Sequence, residues 1–168
     1  PPPPPPPPPP PALFFLHDED AYPEPLWSRG LGDVYKRQIQ ESQEVDIDPS
    51  LVMALITVES NWKRTAVSKA NACGLTQVIP KYTGKLTKKY TCEQLKVPKN
   101  SIYVGIKTFK FWINHHRGDI SRGLCAYNAG YRCGGKRPNK HGMRYARKVL
   151  KVQKMINRLY KEKSRQTN

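Results

Sequence analysis

"DIDPSLVMALITVESNW", residues 46–62, is the stretch on which the fold turns. Asp48 has the chemistry of an N-cap, and Pro49 suits the first helical position, where its missing N–H would have no partner anyway. From there Val52, Leu55, Ile56 and Glu59 fall at i, i+3, i+4 and i+7, so one face of a helix carries all four. That face looks into a core. An ionised carboxylate there is costly unless something pairs with it, so Glu59 either has a structural partner or holds its proton.

The helical pattern continues along the chain. In "NSIYVGIKTFKFWINHHRG" (100–118), Ile102, Ile106, Phe109 and Ile113 form one apolar stripe, and the pattern stops at Gly118. "DISRGLCAYNAG" (119–130) opens on a second cap candidate, Asp119, and closes on Gly130. "MRYARKVLKVQKMINRLY" (143–160) places Tyr145, Val149, Val152, Ile156 and Leu159 on a stripe, with Lys and Arg elsewhere. The intervening "YRCGGKRPNKHG" (131–142) is Gly, Pro and charge, which predicts a loop. No segment alternates at period two and none repeats. The expectation is a small, mainly α-helical domain.

The 168 residues suit one ordinary domain, with a sharp boundary near residue 38. Residues 1–11 are an unbroken proline run, which forms only extended polyproline. "SRGLGDVYKRQ" (28–38) resembles, over its whole length, the one-frame translation of a transposase-based sequencing adapter; a natural basic linker is the alternative. On the adapter reading, residues 1–38 are a disordered, non-native segment, residues 39–168 are the domain, and any natural targeting signal is missing.

Lys and Arg outnumber Asp and Glu by 29 to 13, a formal net charge of +16. Residues 1–38 hold three basic and five acidic side chains, so residues 39–168 are more basic still, at +18. Nucleic acid, an anionic membrane face and an acidic wall polymer are all partners of the right sign. The basic residues lack the interleaved aromatics of a single-strand platform, so a solvated surface is favoured over a nucleic-acid site. No apolar run is long enough to span a bilayer, and "ALFFL" (12–16) is too short for a signal-peptide core and lacks a basic flank. Cys73, Cys92, Cys125 and Cys133 have no C-x-x-C spacing and only scattered histidines around them. That disfavours zinc, and no metal or other cofactor is expected. Their even number allows two disulfides in an oxidising compartment, or four buried thiols.

Taken alone, Glu59 reads as a paired or helix-end carboxylate more readily than as a catalyst. Its companions also have plain readings: Ser68 caps a turn, Gln77 solvates a helix face, and Asn128 and Gly130 end a helix. Tyr127 and Tyr145 can be core residues with a wet tip. Together, however, Glu59-Ser60, Ser68, Gly74-Leu75-Thr76-Gln77, Ala126-Tyr127-Asn128-Ala129-Gly130 and Tyr145 follow a familiar order. They resemble the SLT-type lytic transglycosylases, relatives of goose-type lysozyme. That family's pattern is E-S, a Ser nine residues after the Glu, G-L-M-Q, A-Y-N-A-G and a Tyr on the last helix. The likeness covers about residues 46–157. One such block is a weak signal, but four in order are a strong one. Thr76 stands where the family has Met in the wall of the sugar groove. The four cysteines are not general to the family; Cys73 and Cys125 each precede a motif block, where a disulfide would tie the groove together.

The resemblance implies a lysozyme-like helical fold, peptidoglycan glycan strands as substrate, a monomeric domain, and a place in the cell envelope or a phage virion. It implies that Glu59 protonates the glycosidic oxygen between N-acetylmuramic acid and N-acetylglucosamine. The substrate's own N-acetyl group then stabilises the cation, and Glu59 takes the proton of the muramic 6-hydroxyl as a 1,6-anhydro ring closes. By the same analogy Tyr127 or Tyr145 hydrogen-bonds Glu59, while Ser60, Ser68, Gly74, Gln77 and Asn128 contact sugar or shape the groove. The acid inventory agrees, because after Ile39 no other Asp or Glu lies inside a motif block. A muramidase on the same fold, with water as nucleophile, is the alternative, and a non-catalytic module binding glycan or nucleic acid is a third.

Overall fold

The computed structural model describes residues 46–166. The expectations for residues 1–38, the adapter-like stretch included, lie outside the described residues. The helices are α1 (Pro49–Ser60), α2 (Cys92–Leu95), α3 (Pro98–His115), α4 (Ile120–Ala129) and α5 (Lys140–Gln166), with 3₁₀ turns at Pro80–Lys85 and Gly130–Cys133. Among the described residues there is no strand, only isolated bridges that pair Cys73 with Val67 and Val78. The chain is mainly α.

Both predicted caps are formed. Asp48 Oδ1 accepts from the Ser50 N–H at 2.8 Å, and Asp119 Oδ1 from that of Arg122 at 2.9 Å. The stripe on α3 is buried at Ile102, Ile106, Phe109 and Ile113. Its C-terminus closes with the Gly118 N–H donating to the Ile113 carbonyl at 2.9 Å and a left-handed Gly118, the usual glycine stop.

Two features differ from the sequence reading. Helix α1 is not buried on one face only: Leu51, Val52, Met53, Ala54, Leu55 and Ile56 are all within 2% of full burial. A helix apolar all round belongs inside, and α1 is the central element of the core, joined there by Ile102, Ile106, Phe109, Leu124, Ala146, Val149 and Ile156. Helix α5 begins at Lys140, inside the stretch expected to be a loop. Asn139 starts it, with Oδ1 accepting from the Gly142 N–H at 2.9 Å. Gly142 lies in the first turn of α5 and is needed there for close packing on α4: a Cβ would sit 2.7 Å from Cys125 Sγ.

α5 runs antiparallel to α1. Near one end of the pair Gln153 Nε2 donates to Asp48 Oδ2 at 3.0 Å, and at the other Tyr145 reaches Glu59. Helix α5 also packs on α4, α4 on α3, and α2 on α3. All four cysteines are paired, Cys73 with Cys92 and Cys125 with Cys133, so each bridge begins one residue before a motif block.

Candidate active site

Helix α1 ends where the core ends. Asn61 and Trp62 take left-handed conformations (φ 47° and 64°), which turn the chain sharply after Ser60. Asparagine tolerates that region; a tryptophan stays in it only when packing over-determines it. Here the Trp62 ring is buried, and its Nε1–H donates to Thr57 Oγ1 at 3.0 Å. Glu59 is thereby left half-buried on the last turn of α1, facing α5.

Tyr145 Oη donates to Glu59 Oε1 at 2.5 Å. Burial raises the Glu59 carboxyl from 4.5 to about 7, although the Tyr145 hydrogen bond and the charge of Lys148 both pull it down. Desolvation wins. Burial and the charge of Glu59 push the Tyr145 and Tyr127 phenols well above their ordinary value, so both remain hydroxyl donors. The Tyr127 hydroxyl is bonded elsewhere than at Glu59. Its Oη donates to the Thr76 carbonyl at 2.8 Å, and its ring meets Phe109 edge-on.

Glu59 lies in an open pocket of about 560 Å³ walled by Val58, Asn128, His141, Arg144, Tyr145 and Lys148. Among the described residues Glu59 is its only acid. The other described acids are occupied or remote. Asp48 and Asp119 cap helices, Glu93 pairs with Lys96 at 2.6 Å, and Glu162 pairs with Arg158 at 2.9 Å. Asp46 is exposed ahead of α1. A pocket of this size, with one carboxyl that titrates near neutrality, is equipped for proton transfer by a single group.

Of the residues singled out from sequence, Glu59, Asn128 and Tyr145 meet in this pocket. Asn128 Oδ1 is 3.1 Å from His141 Nδ1. The remaining residues shape the loop between α1 and the first 3₁₀ turn. Ser68 Oγ accepts from the N–H groups of Ala70 and Ala72 at 3.2 and 3.1 Å. Gln77 Nε2 donates to the carbonyls of Ala66 and Gly74 at 3.1 and 2.8 Å. Gly74 is left-handed, and a Cβ there would be 2.0 Å from the Leu95 carbonyl oxygen. Ser60 Oγ bonds back to its own helix, at the Ile56 carbonyl. Thr76 requires a correction. Its side chain does not wall the groove but is fully buried, with Oγ1 donating to the Ser101 carbonyl at 2.8 Å.

Sequence reasoning passed over Val58, His141, Arg144 and Lys148. The last three were recoverable, since 141, 144, 145 and 148 share one helical face with Tyr145.

Residues 37–149 match the transglycosylase SLT domain family. The fold is similar to that of an inactive mutant of the lytic transglycosylase Slt from Pseudomonas aeruginosa, with a TM-score of 0.66 and 19% identity over 73% of this chain and 24% of that one. It is also similar to the 70 kDa soluble lytic transglycosylase SLT70 from Escherichia coli, with a TM-score of 0.66 and 21% identity over 80% of this chain and 26% of that one. The chain thus spans about a quarter of the length of each.

Proposed function

The chain belongs to the transglycosylase SLT domain family, and from that premise we propose that it is a peptidoglycan lytic transglycosylase that leaves 1,6-anhydro-muramic ends. The observation that carries this reading is Glu59, a carboxyl whose pKa is raised to about 7 in an open groove with no second acid on its walls among the described residues. A carboxyl that keeps its proton at pH 7 can donate it to the glycosidic oxygen as the bond to C1 breaks. The transition state has oxocarbenium character, and a second enzyme carboxylate is the usual means of stabilising it or activating water. None of the described residues places one in the pocket, so the substrate's N-acetyl oxygen takes the first role and its own 6-hydroxyl replaces water. The ionised Glu59 then removes the hydroxyl proton while O6 bonds to C1, which returns the carboxyl to its starting state. An internal hydroxyl held over C1 has an effective concentration on the order of 10⁵ M or more when well oriented, and outruns water. Tyr145 keeps Glu59 in place throughout. The two disulfides suit an oxidising compartment, where peptidoglycan lies.

The test is mass spectrometry of unreduced products from purified peptidoglycan. Anhydro ends, one water lighter than hydrolysed ones, are expected. Predominantly hydrated, reducing products would assign a muramidase instead. Undiminished lysis by a folded Glu59→Gln protein would remove Glu59 from the mechanism.

A further inference from the structure

The wall of the Glu59 pocket is more cationic than proton transfer requires. His141, Arg144, Tyr145 and Lys148 follow at i, i+3, i+4 and i+7, so a single face of α5 presents them to the groove. Arg144 and Lys148 are exposed. Among the described residues neither forms an ion pair, because Glu93, Asp119 and Glu162 are taken by Lys96, Arg122 and Arg158. Glu59 gives Oε1 to Tyr145 and is not a permanent counter-charge. His141 is engaged with Asn128. Two fixed positive charges therefore face open space beside the acid, an arrangement that awaits an anion.

We propose that Arg144 and Lys148 form a carboxylate-binding wall, which selects strands by the acid group on the muramic residue at the scissile bond. This rests on the transglycosylase reading for the identity of the polymer. Of the two alternating sugars only muramic acid carries an acid-bearing arm, a short lactyl ether on the ring next to the bond that breaks. Its carboxylate stays within a few ångströms of that ring, within reach of a guanidinium and an ammonium on the groove wall. In peptide-free strands the arm offers the lactyl carboxylate itself. In peptide-bearing strands that group is an amide, and the carboxylates of the stem take its place.

The experiment reads binding without turnover. The full-length Glu59→Gln protein is titrated with peptide-free tetrasaccharides, with the same tetrasaccharides as lactyl methylamides, and with peptide-bearing ones. The acid form is expected to bind about tenfold tighter than the methylamide, since hydrogen bonds to charged groups are worth a factor of that order. Arg144→Gln/Lys148→Gln, added to Glu59→Gln, should bind both forms as weakly as its parent binds the methylamide. In 1 M salt the contrast should shrink, as the groove is open to solvent. Tight binding of peptide-bearing strands would add stem carboxylates as ligands; a preference for the peptide-free acid alone would assign the lactyl group. The control is Lys151→Gln/Lys154→Gln, which removes the same charge from exposed positions of α5 outside the pocket. Equal loss of preference in that control, retention of preference without Arg144 and Lys148, or no binding of any strand would overturn the proposal. Failure of the Glu59-competent chain to cleave glycan would defeat the transglycosylase reading separately, and the binding contrast would still decide the role of the wall.

Discussion

At the scale of the residue, the protonation of Glu59 is a contest between its burial and its two polar neighbours. Burial favours the neutral carboxyl, while Tyr145 and Lys148 favour the anion, and the balance lies at about 7. A carboxyl whose folded pKa is raised from 4.5 holds its proton more tightly in the folded than in the unfolded chain. Its contribution to stability is therefore present at low pH, declines as pH rises from 4.5 to about 7, and stays unfavourable above that. Glu59→Gln has no proton to lose. It should melt at a higher temperature than the parent near pH 8, with a gap that narrows towards pH 5, while lysis is lost throughout. A gap independent of pH would contradict the burial account. Lys148 can be read in the opposite direction. With Lys148→Met the cation that lowers Glu59 is gone, so the alkaline limb of kcat/KM should move to higher pH, even as binding of acidic strands weakens. A limb that stayed in place would mean that Lys148 does not act on Glu59.

At the scale of the element, the two disulfides fasten the segments that carry the motif residues. Cys73–Cys92 ties the loop bearing Ser68, Gly74 and Gln77 to α2, over a sequence separation of 19. Cys125–Cys133 spans 8, around Tyr127 and Asn128. Removal of a native bridge costs about 2–4 kcal/mol, and more for a longer closed segment. Cys73→Ala/Cys92→Ala should therefore lower the urea midpoint further than Cys125→Ala/Cys133→Ala; the reverse order would show that strain or packing outweighs chain entropy. Elements of this kind were legible from sequence in proportion to how local their causes are. The caps at Asp48 and Asp119 and the stripe on α3 depend on neighbours within a turn or two, and they were readable. The full burial of α1 was not, because periodicity detects a face only by contrast, and "LVMALI" (51–56) has no polar face to contrast with. The start of α5 was hidden by Gly142, whose missing side chain answers to Cys125 across a helix crossing rather than to a turn. Glu59, Asn128 and Tyr145 were found because their motifs name them. Arg144 and Lys148 were missed because a cation on an amphipathic helix looks the same whether its face borders a groove or bulk water. Only the antiparallel packing of α5 on α1 distinguishes the two.

At the scale of the whole molecule, the described core is assembled from residues that all follow the first 38. Its buried apolar side chains run from Ile47 to Ile156, and α1 shares that core with Ile47 ahead of it and with residues of α3, α4 and α5 after it. The large apolar side chains that remain exposed, among them Val67, Tyr82, Leu86, Val97, Ile120, Tyr131 and Met155, come from different segments, and such scatter is normal on a surface. A chain beginning at Ile39 keeps every one of these core residues and loses only two net negative charges, so its net charge rises from +16 to +18. Greater self-repulsion is the one cost expected from that change, and salt at physiological strength screens most of it beyond about 8 Å. The shortened chain should therefore melt within about 2 °C of the full one, since a loss of 1 kcal/mol would move the midpoint by roughly 2–8 °C in a domain of this size. It should also retain the activity proposed on peptidoglycan, because Glu59, Asn128, Arg144, Tyr145 and Lys148 all lie well inside it. Thermal melts of the two chains in the same salt check the first statement, and turbidity assays the second. A fall of several degrees, present in high salt as well as low, would mean that residues 1–38 bury surface on the helical domain and belong to the protein.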